Sequence, residues 1–118
     1  MFIVEDDKSL RLLYEKALNL NGHHVIATAK NGQEAVAMFK TFTEKPDVII
    51  MDHRMPIKNG IDASKEIMEN SSIDKPKIIF ASADKTIKEE AISIGVLSFK
   101  EKPFTLNNLF RNIEKALK

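Results

Sequence analysis

The sequence predicts a doubly wound α/β domain, in which helices cover both faces of a parallel β-sheet. Five short apolar segments recur along the 118 residues, and each is followed by a segment with helical patterning. Two or three of the apolar segments are continuously apolar instead of alternating, which is typical of strands buried on both faces of a parallel sheet. A strict alternation of strand and helix with short loops favours right-handed βαβ units.

The predicted strands are short hydrophobic runs that lie at regular intervals along the chain. They occupy residues 2–4, 25–27, 48–51, 78–81 and 96–99. Because parallel neighbours need crossover connections, the segments between these runs are expected to be helices. No linker, repeat or low-complexity stretch interrupts this order, so we expect one domain.

Each connecting segment carries apolar residues at helical spacing. The clearest pattern belongs to the first segment, which ends at Asn21 and Gly22. The last segment is also well marked, with Thr105 as a candidate N-cap. The five apolar stripes are Leu10, Leu13, Tyr14, Ala17 and Leu18; Ala35, Met38, Phe39 and Phe42; Ala63, Ile67 and Met68; Ile87, Ala91 and Ile94; and Leu106, Leu109, Phe110, Ile113 and Leu117.

The composition restricts the class of protein. Eighteen Lys and Arg residues against 17 Asp and Glu residues give a formal net charge of +1, which offers no attraction to nucleic acid or to an acidic membrane. The chain has no Cys, as expected in a reducing compartment. Its first residues do not form a signal peptide, and its longest apolar run, residues 35–39, is far too short for a membrane helix. We expect a cytoplasmic protein.

Acidic residues follow two of the predicted strands. Glu5, Asp6 and Asp7 come directly after the first strand, and Asp52 directly after the third. Ligands of doubly wound sheets bind at the carboxyl ends of the strands, so we expect three or four carboxylates to converge there. Like charges this close need a counterion, and hard oxygen ligands favour Mg²⁺. The alternative is that residues 5–7 only cap the first helix.

Two further polar residues follow the remaining strands. Ser82 comes after the fourth strand and Lys102 after the fifth. A hydroxyl and an ammonium group beside carboxylates and a metal ion form a pocket for a tetrahedral dianion. Each residue alone is weak evidence, because Ser82 also suits a loop and Lys102 a solvated surface. It is their joint position at the strand ends that predicts the pocket.

Four spaced motifs together resemble one known family. They are residues 4–7, residues 48–56 with Gly60, residues 81–83 and residues 102–104. In this order they resemble the receiver domain of response regulators, and the chain is similar over essentially its whole length to single-domain chemotaxis and phosphorelay regulators. The resemblance implies a flavodoxin-like fold with five parallel strands in the order 2-1-3-4-5. It also implies one receiver domain over residues 1–118.

The resemblance assigns a role to each residue of the predicted pocket. Asp52 is implied as the phosphoacceptor, with Ser82 bonded to the phosphoryl group and Lys102 paired with it. Phe99 lies where the family places its switch aromatic, which turns inward when the phosphoryl group draws Ser82 towards it. Without the resemblance, Phe99 suits a plain core position equally well.

The resemblance also implies a Mg²⁺ site. Asp6 and Asp52 are implied as direct ligands, together with the backbone carbonyl of Arg54, and Glu5 as a ligand through a water molecule. Phosphoryl transfer depends mainly on in-line positioning and charge neutralisation, which such a set of residues supplies.

The expected function is that of a phosphoacceptor in a two-component system. The implied partners are a sensor histidine kinase or a histidine phosphotransfer protein, and an output protein that the sequence does not identify. The chain is not expected to be an enzyme beyond its own phosphorylation and dephosphorylation. Binding of nucleic acid or of a membrane by this chain is not expected either. We expect a monomer, with a phosphorylation-dependent dimer as the alternative.

Other interpretations of the same residues have less support. A haloacid-dehalogenase-type phosphatase needs a second Asp two residues after the nucleophile, where this chain has Arg54. A flavin- or nucleotide-binding protein is disfavoured because both glycine-rich phosphate motifs are missing. Two alternatives stay open: a degenerate receiver that binds partners without phosphorylation, and the receiver part of a DNA-binding regulator. Leu10 and Phe104 suit partner docking and core packing equally.

Overall fold

A parallel β-sheet with helices on both faces forms the centre of the structure. A computed structural model describes residues 1–53, 55, 57–71, 75–102 and 104–117, and within them the sheet has five strands. They are β1 (Phe2–Val4), β2 (Ala27–Ala29), β3 (Val48–Asp52), β4 (Lys77–Ser82) and β5 (Ser98–Glu101). The strands lie in the order β2-β1-β3-β4-β5, and every neighbouring pair is parallel. The predicted fold class and strand order are confirmed.

A helix follows each strand. In the described residues these are α1 (Lys8–Leu20), α2 (Gly32–Thr41), α3 (Gly60–Glu69), α4 (Lys88–Ser93) and α5 (Leu106–Leu117), with a 3₁₀ turn, Lys85–Ile87, before α4. Thr105 caps α5 as predicted, because its Oγ1 accepts a hydrogen bond from the backbone N–H of Asn108 at 3.1 Å. None of these described helices has the length and hydrophobicity that a membrane span requires.

Two strands begin later than the hydrophobic pattern predicts. β2 starts at residue 27 instead of 25, and β5 starts at residue 98 instead of 96. In both cases the preceding apolar residue leads the chain into the sheet: the N–H of Ile26 bonds to the carbonyl of Met1, and that of Leu97 to the carbonyl of Ile78, each at 2.9 Å. A hydrophobic run therefore marks burial near the sheet, whereas the strand bounds depend on pairing.

The core has two layers, one on each face of the sheet. Residues of α2, α3 and α4 pack on one face around Phe39 and Phe80. Residues of α1 and α5 pack on the other face around Leu18 and Ile79. The prediction for Leu13 is wrong, because α1 turns the side that carries Leu18 towards the sheet and leaves Leu13 49% exposed.

Two glycines fix the loop between β3 and α3. The N–H of Gly60 donates to the carbonyl of His53 at 2.9 Å, and a Cβ at Gly60 would lie 2.1 Å from the carbonyl oxygen of Asp52. Gly32, at the start of α2, donates to the carbonyl of Lys58 at 3.1 Å, and its Cβ would lie 2.3 Å from that oxygen. Both approaches require the absence of a side chain. The loop that begins after Asp52 is therefore held from two sides.

Candidate functional site

Carboxylates meet at the carboxyl end of the sheet. Glu5 and Asp6 follow β1, and Asp52 is the last residue of β3, which pairs with β1. Among the described residues, these three each offer a carboxylate oxygen within 4.8 Å of the other two. Glu5 and Asp52 are only 2% and 6% exposed, whereas Asp6 is exposed. The fold thus brings together acidic groups that lie 46 and 47 positions apart in the chain.

Asp7 is not one of these three metal-ligating candidates. Its side chain is exposed and accepts a hydrogen bond from the N–H of Leu10 at 3.1 Å, which caps α1. Helix capping, the alternative for residues 5–7, therefore describes Asp7 but not its two neighbours. In the described part of the chain the cluster has three carboxylates, the lower of the two numbers expected.

Arg11 supports the acidic loop, and the sequence pattern did not mark it. Its Nη1 donates to the carbonyl of Glu5 at 2.8 Å and lies 3.5 Å from the carbonyl oxygen of Asp6. The side chain reaches back over the first turn of α1 and holds the loop that carries both acids. Hydrophobic spacing cannot indicate such a contact, because it joins a helix side chain to backbone atoms.

Lys102 bridges the two buried carboxylates. Its Nζ lies 2.9 Å from Oε1 of Glu5 and 3.1 Å from Oδ1 of Asp52. Its backbone N–H donates to the carbonyl of Ser82 at 2.9 Å, which ties the end of β5 to the end of β4. Hydrogen bonds between charged groups offset part of the cost of burying them. The ammonium group lies inside the pocket, where the position of Lys102 after β5 predicts it.

Burial dominates the electrostatics of the pocket. It raises the pKa of Glu5 from 4.5 to about 7, although the hydrogen bond from Lys102 lowers it. It also raises the pKa of Asp52, against the attraction of Lys102. Burial alone would lower the pKa of Lys102, but the hydrogen bond to Glu5 and the charge of Asp52 outweigh it and raise that pKa. When both buried carboxylates are ionised, they share one ammonium group, so the site lacks a positive charge.

The donor set and this charge deficit suit a divalent cation. Glu5, Asp6 and Asp52 offer only hard carboxylate oxygens, the ligands that Mg²⁺ prefers in proteins. Asp6 is exposed, so a hydrated cation has access to the cluster from solvent. The remaining predicted ligand, the backbone carbonyl of Arg54, lies outside the described residues.

Ser82 is the last residue of β4, on the side of Asp52 opposite to β1. It is 2% exposed, and its Oγ accepts a hydrogen bond from the N–H of Asp84 at 3.0 Å. Asp52 pairs with Ala81, the residue before Ser82, across the β3–β4 ladder. A cavity of about 240 Å³ opens here, lined by Glu5, Asp6, Asp7, Leu10, Asp52, Ser82, Ala83 and Lys102. Since a water molecule occupies about 30 Å³, this cavity has room for a phosphoryl group beside a cation.

Phe99 packs against the edge of the core. Its ring stacks on that of Phe80 of β4, with the centroids 5.9 Å apart and 13° between the planes. The ring of Phe80 in turn lies 5.8 Å from that of His53, the residue after Asp52. Phe99 is partly buried and packs against the core layer of α2, α3 and α4. Its role as a switch stays a prediction.

Leu10 and Phe104 both pack against the core layer of α1 and α5. The ring of Phe104 stacks on that of Tyr14, with the centroids 6.4 Å apart and 12° between the planes. Core packing therefore describes both residues, while partner docking by either of them stays a prediction.

Nearly the whole chain matches one protein family. The family model described as "Response regulator receiver domain" covers residues 1–114. The chain belongs to this receiver-domain family. Receiver domains are signalling domains of two-component and chemotaxis regulators, and they bind Mg²⁺ in the acidic pocket that Glu5, Asp6 and Asp52 form here.

Curated relatives of this receiver domain differ in length. It is 35% identical to the chemotaxis protein CheY of Thermotoga maritima, over 100% of this chain and 97% of that protein. It is 34% identical to the chemotaxis protein CheY of Bacillus subtilis, over 99% of this chain and 96% of that protein. It is 32% identical to the transcriptional regulatory protein PdtaR of Mycobacterium tuberculosis, over 99% of this chain but 56% of that protein.

Solved receiver structures share the fold. A chain of the CheX–CheY–BeF₃–Mg²⁺ complex of Borrelia burgdorferi matches with a TM-score of 0.90, over 99% of this chain and 87% of that chain, and its 24% identity supports the fold alone. The response regulator TrrA of Thermotoga maritima, in complex with Mg²⁺–BeF, matches with a TM-score of 0.83 and 26% identity. That match covers 98% of this chain and 96% of TrrA.

The raised pKa of Glu5 predicts how stability depends on pH without metal. In EDTA, folded Glu5 keeps its proton up to about pH 7, whereas the unfolded chain loses it near 4.5. The folded state therefore binds more protons between these values, so the contribution of Glu5 makes the free energy of unfolding fall as the pH rises. Urea unfolding of the wild type and of Glu5→Gln across this range checks it. The fall is expected to be steeper in the wild type, and parallel curves for the two proteins would contradict the assignment.

Proposed function

We propose that this receiver domain accepts a phosphoryl group on Asp52 from a phosphohistidine of a partner protein. The observation that carries the proposal is the setting of Asp52, a buried carboxylate at the end of β3 that faces the 240 Å³ cavity. Lys102 and Ser82 line the same cavity, so a cation and a hydroxyl group accompany the acceptor. These are the groups that phosphoryl transfer needs around a nucleophile.

In the proposed reaction, a carboxylate oxygen of Asp52 attacks the phosphorus atom. A P–O bond forms while the P–N bond to the donor histidine breaks, and the imidazole nitrogen keeps the electron pair and takes a proton from water. The ammonium group of Lys102 pairs with the phosphoryl oxygens, and the hydroxyl group of Ser82 donates a hydrogen bond to one of them. Burial of Asp52 holds the carboxylate in one orientation for in-line attack.

The proposed Mg²⁺ ligands are the carboxylates of Asp6 and Asp52, Glu5 through a water molecule, and the backbone carbonyl of Arg54. When bound, Mg²⁺ neutralises charge on the phosphoryl oxygens. The convergence of three carboxylates supports this assignment. The structure of TrrA in complex with Mg²⁺–BeF, a relative 26% identical to this chain, also supports it.

The proposed donor is a sensor histidine kinase or a histidine phosphotransfer protein in the cytoplasm, and an output protein recognises the phosphorylated form. The complex of CheX with CheY in Borrelia burgdorferi is an example of a protein partner of a receiver. Beyond its own phosphorylation and dephosphorylation the chain has no proposed enzyme activity. We propose that residues 1–118 act as one receiver unit, monomeric unless phosphorylation makes it dimerise.

Two observations bear on the alternatives. A degenerate receiver is disfavoured because Asp52, Ser82 and Lys102 all line one cavity. The receiver part of a larger regulator stays the second setting, because this chain covers 56% of a relative described as a transcriptional regulatory protein. The chemistry proposed for Asp52 is the same in both settings.

Phosphorylation of Asp52 is the direct test of the proposal. With Mg²⁺ and acetyl phosphate, we expect intact mass spectrometry to show one added phosphoryl group on the wild type and none on Asp52→Asn. Ser82→Ala is expected to slow the reaction by about 100-fold, because one donor to the phosphoryl oxygens is lost. EDTA is expected to stop it.

Asp6 and Asp7 provide a matched pair for the metal in this experiment. Asp6→Asn removes a proposed ligand and is expected to raise the Mg²⁺ concentration needed for phosphorylation by about tenfold or more. Asp7→Asn keeps an N-cap side chain on α1 and is expected to change that concentration little. Phosphorylation of Asp52→Asn, or equal effects of the two substitutions, would contradict the proposed site.

We further propose that Ser82 and Phe99 couple the phosphoryl group to the surface of α4, β5 and α5. Phe99 lies on β5 between the core and the outer surface, and its ring stacks on Phe80 of β4, the strand that ends in Ser82. A shift of Ser82 towards the phosphoryl group opens space on the side of β4 that faces Phe99, and its ring then turns inward. Phosphorylation in this way selects one of two packings.

Beryllofluoride, which mimics the phosphoryl group, tests this coupling. With Mg²⁺ present, we expect backbone amide NMR shifts in α4, β5 and α5, and little change in α2. The same shifts are expected to shrink in Phe99→Leu, whose smaller side chain cannot fill the space in the same way. Shifts confined to the loops after β3 and β4 would contradict the coupling.

A further inference from the structure

Tyr14 of α1 packs directly on the segment that follows Lys102. Its side chain is 4% exposed, and its ring lies 12° from parallel with the ring of Phe104, at 6.4 Å between centroids. This is the geometry of an offset aromatic stack. Tyr14 and Phe104 are 90 positions apart in the chain, so the stack is a tertiary contact between α1 and the loop after β5.

This stack lies close to Lys102 along the chain. On the β4 side, the backbone N–H of Lys102 bonds to the carbonyl of Ser82 at 2.9 Å. On the other side, Phe104 is two residues further along and is held by Tyr14 and by the core layer of α1 and α5. The Lys side chain has four flexible bonds, so a fixed backbone is needed to keep its Nζ between Glu5 and Asp52.

We propose that Tyr14 is a positioning residue for Lys102 and acts through the ring of Phe104. The inference rests on the proposed function, because it assigns a cause to the placement of a group in that site. Burial raises the pKa of the Tyr14 phenol to about 12, and the charges of Lys102, Glu5 and Asp52 also act on it.

The proposal predicts two effects of opposite sign. The ammonium group of Lys102 occupies carboxylate oxygens of Glu5 and Asp52 that also attract Mg²⁺. A looser Lys102 therefore competes less with the metal, and Mg²⁺ is expected to bind more tightly. The same looseness takes the ammonium group of Lys102 away from the phosphoryl oxygens, and phosphorylation is expected to slow. Simple loss of structure at the pocket would weaken both.

The test compares Tyr14→Leu, Phe104→Leu and Tyr14→Phe in the full chain. Mg²⁺ binding is measured by titration calorimetry, and phosphorylation by acetyl phosphate is followed by intact mass. We expect Tyr14→Leu and Phe104→Leu each to tighten Mg²⁺ binding about threefold, as for a small loss of competing charge. Both are expected to slow phosphorylation about tenfold. Tyr14→Phe keeps the ring and is expected to match the wild type in both measurements.

Two further variants separate positioning from general destabilisation. Phe42→Leu removes an aromatic ring that packs edge-on against Phe2, at 5.1 Å, in the other core layer, and is expected to leave Mg²⁺ affinity unchanged. In a Lys102→Met background, Tyr14→Leu is expected to have no further effect on Mg²⁺ affinity, because the group on which it acts is missing.

The proposal is overturned if Tyr14→Leu weakens Mg²⁺ binding, or if its effect on Mg²⁺ persists in the Lys102→Met background. It is also overturned if Tyr14→Phe behaves like Tyr14→Leu, since the hydroxyl group and not the stack would then matter. A wild type that binds Mg²⁺ but is never phosphorylated would overturn the proposed function instead. The Mg²⁺ measurements would still decide the role of Tyr14.

Discussion

The ammonium group of Lys102, placed between the buried carboxylates of Glu5 and Asp52, is the interaction on which the site depends. It joins the ends of β1, β3 and β5. Burial raises the pKa of both carboxylates, and the interaction with Lys102 opposes that rise at each of them. Yet one ammonium group cannot balance two carboxylates and an exposed third, Asp6. The ammonium group of Lys102 therefore organises the pocket, and the remaining negative charge favours a metal cation.

The strand order explains why a long side chain is required at this position. β5 is separated from β3 by β4, and neighbouring strands lie about 4.8 Å apart, so the distance to be crossed is about 10 Å. The Lys102 side chain spans this distance to Asp52, and its backbone N–H donates to the carbonyl of Ser82. Ser82 ends β4, the strand between β3 and β5, and follows Ala81, the residue that pairs with Asp52. The backbone hydrogen bond between Lys102 and Ser82 therefore links the two residues proposed to contact the phosphoryl oxygens.

The sequence predicts much of this arrangement because the topology is simple. Asp52 and Lys102 follow apolar runs directly, and parallel strands bring such residues to one edge. The roles of consecutive acidic residues are harder to predict. Asp6 joins the carboxylate cluster and Asp7 caps α1, and this difference depends on how the backbone turns into the helix, which the sequence pattern does not show. The exposure of Leu13 also depends on how α1 rotates against the sheet, which no local pattern records.

The stack of Tyr14 on Phe104 could not be predicted from the sequence. Apolar spacing places Tyr14 on the buried face of α1, and Phe104 suits docking and packing equally, but neither pattern says which distant segment each residue meets. The central claim is that Lys102 alone does not balance the ionised carboxylates of the pocket. Proton release on Mg²⁺ binding, measured by calorimetry in buffers of different ionisation enthalpy, tests it most directly. With a Glu5 pKa of about 7, release is expected to be large at pH 6, small at pH 8 and reduced in Glu5→Gln. Release that is absent at pH 6, or equal in Glu5→Gln, would contradict the account.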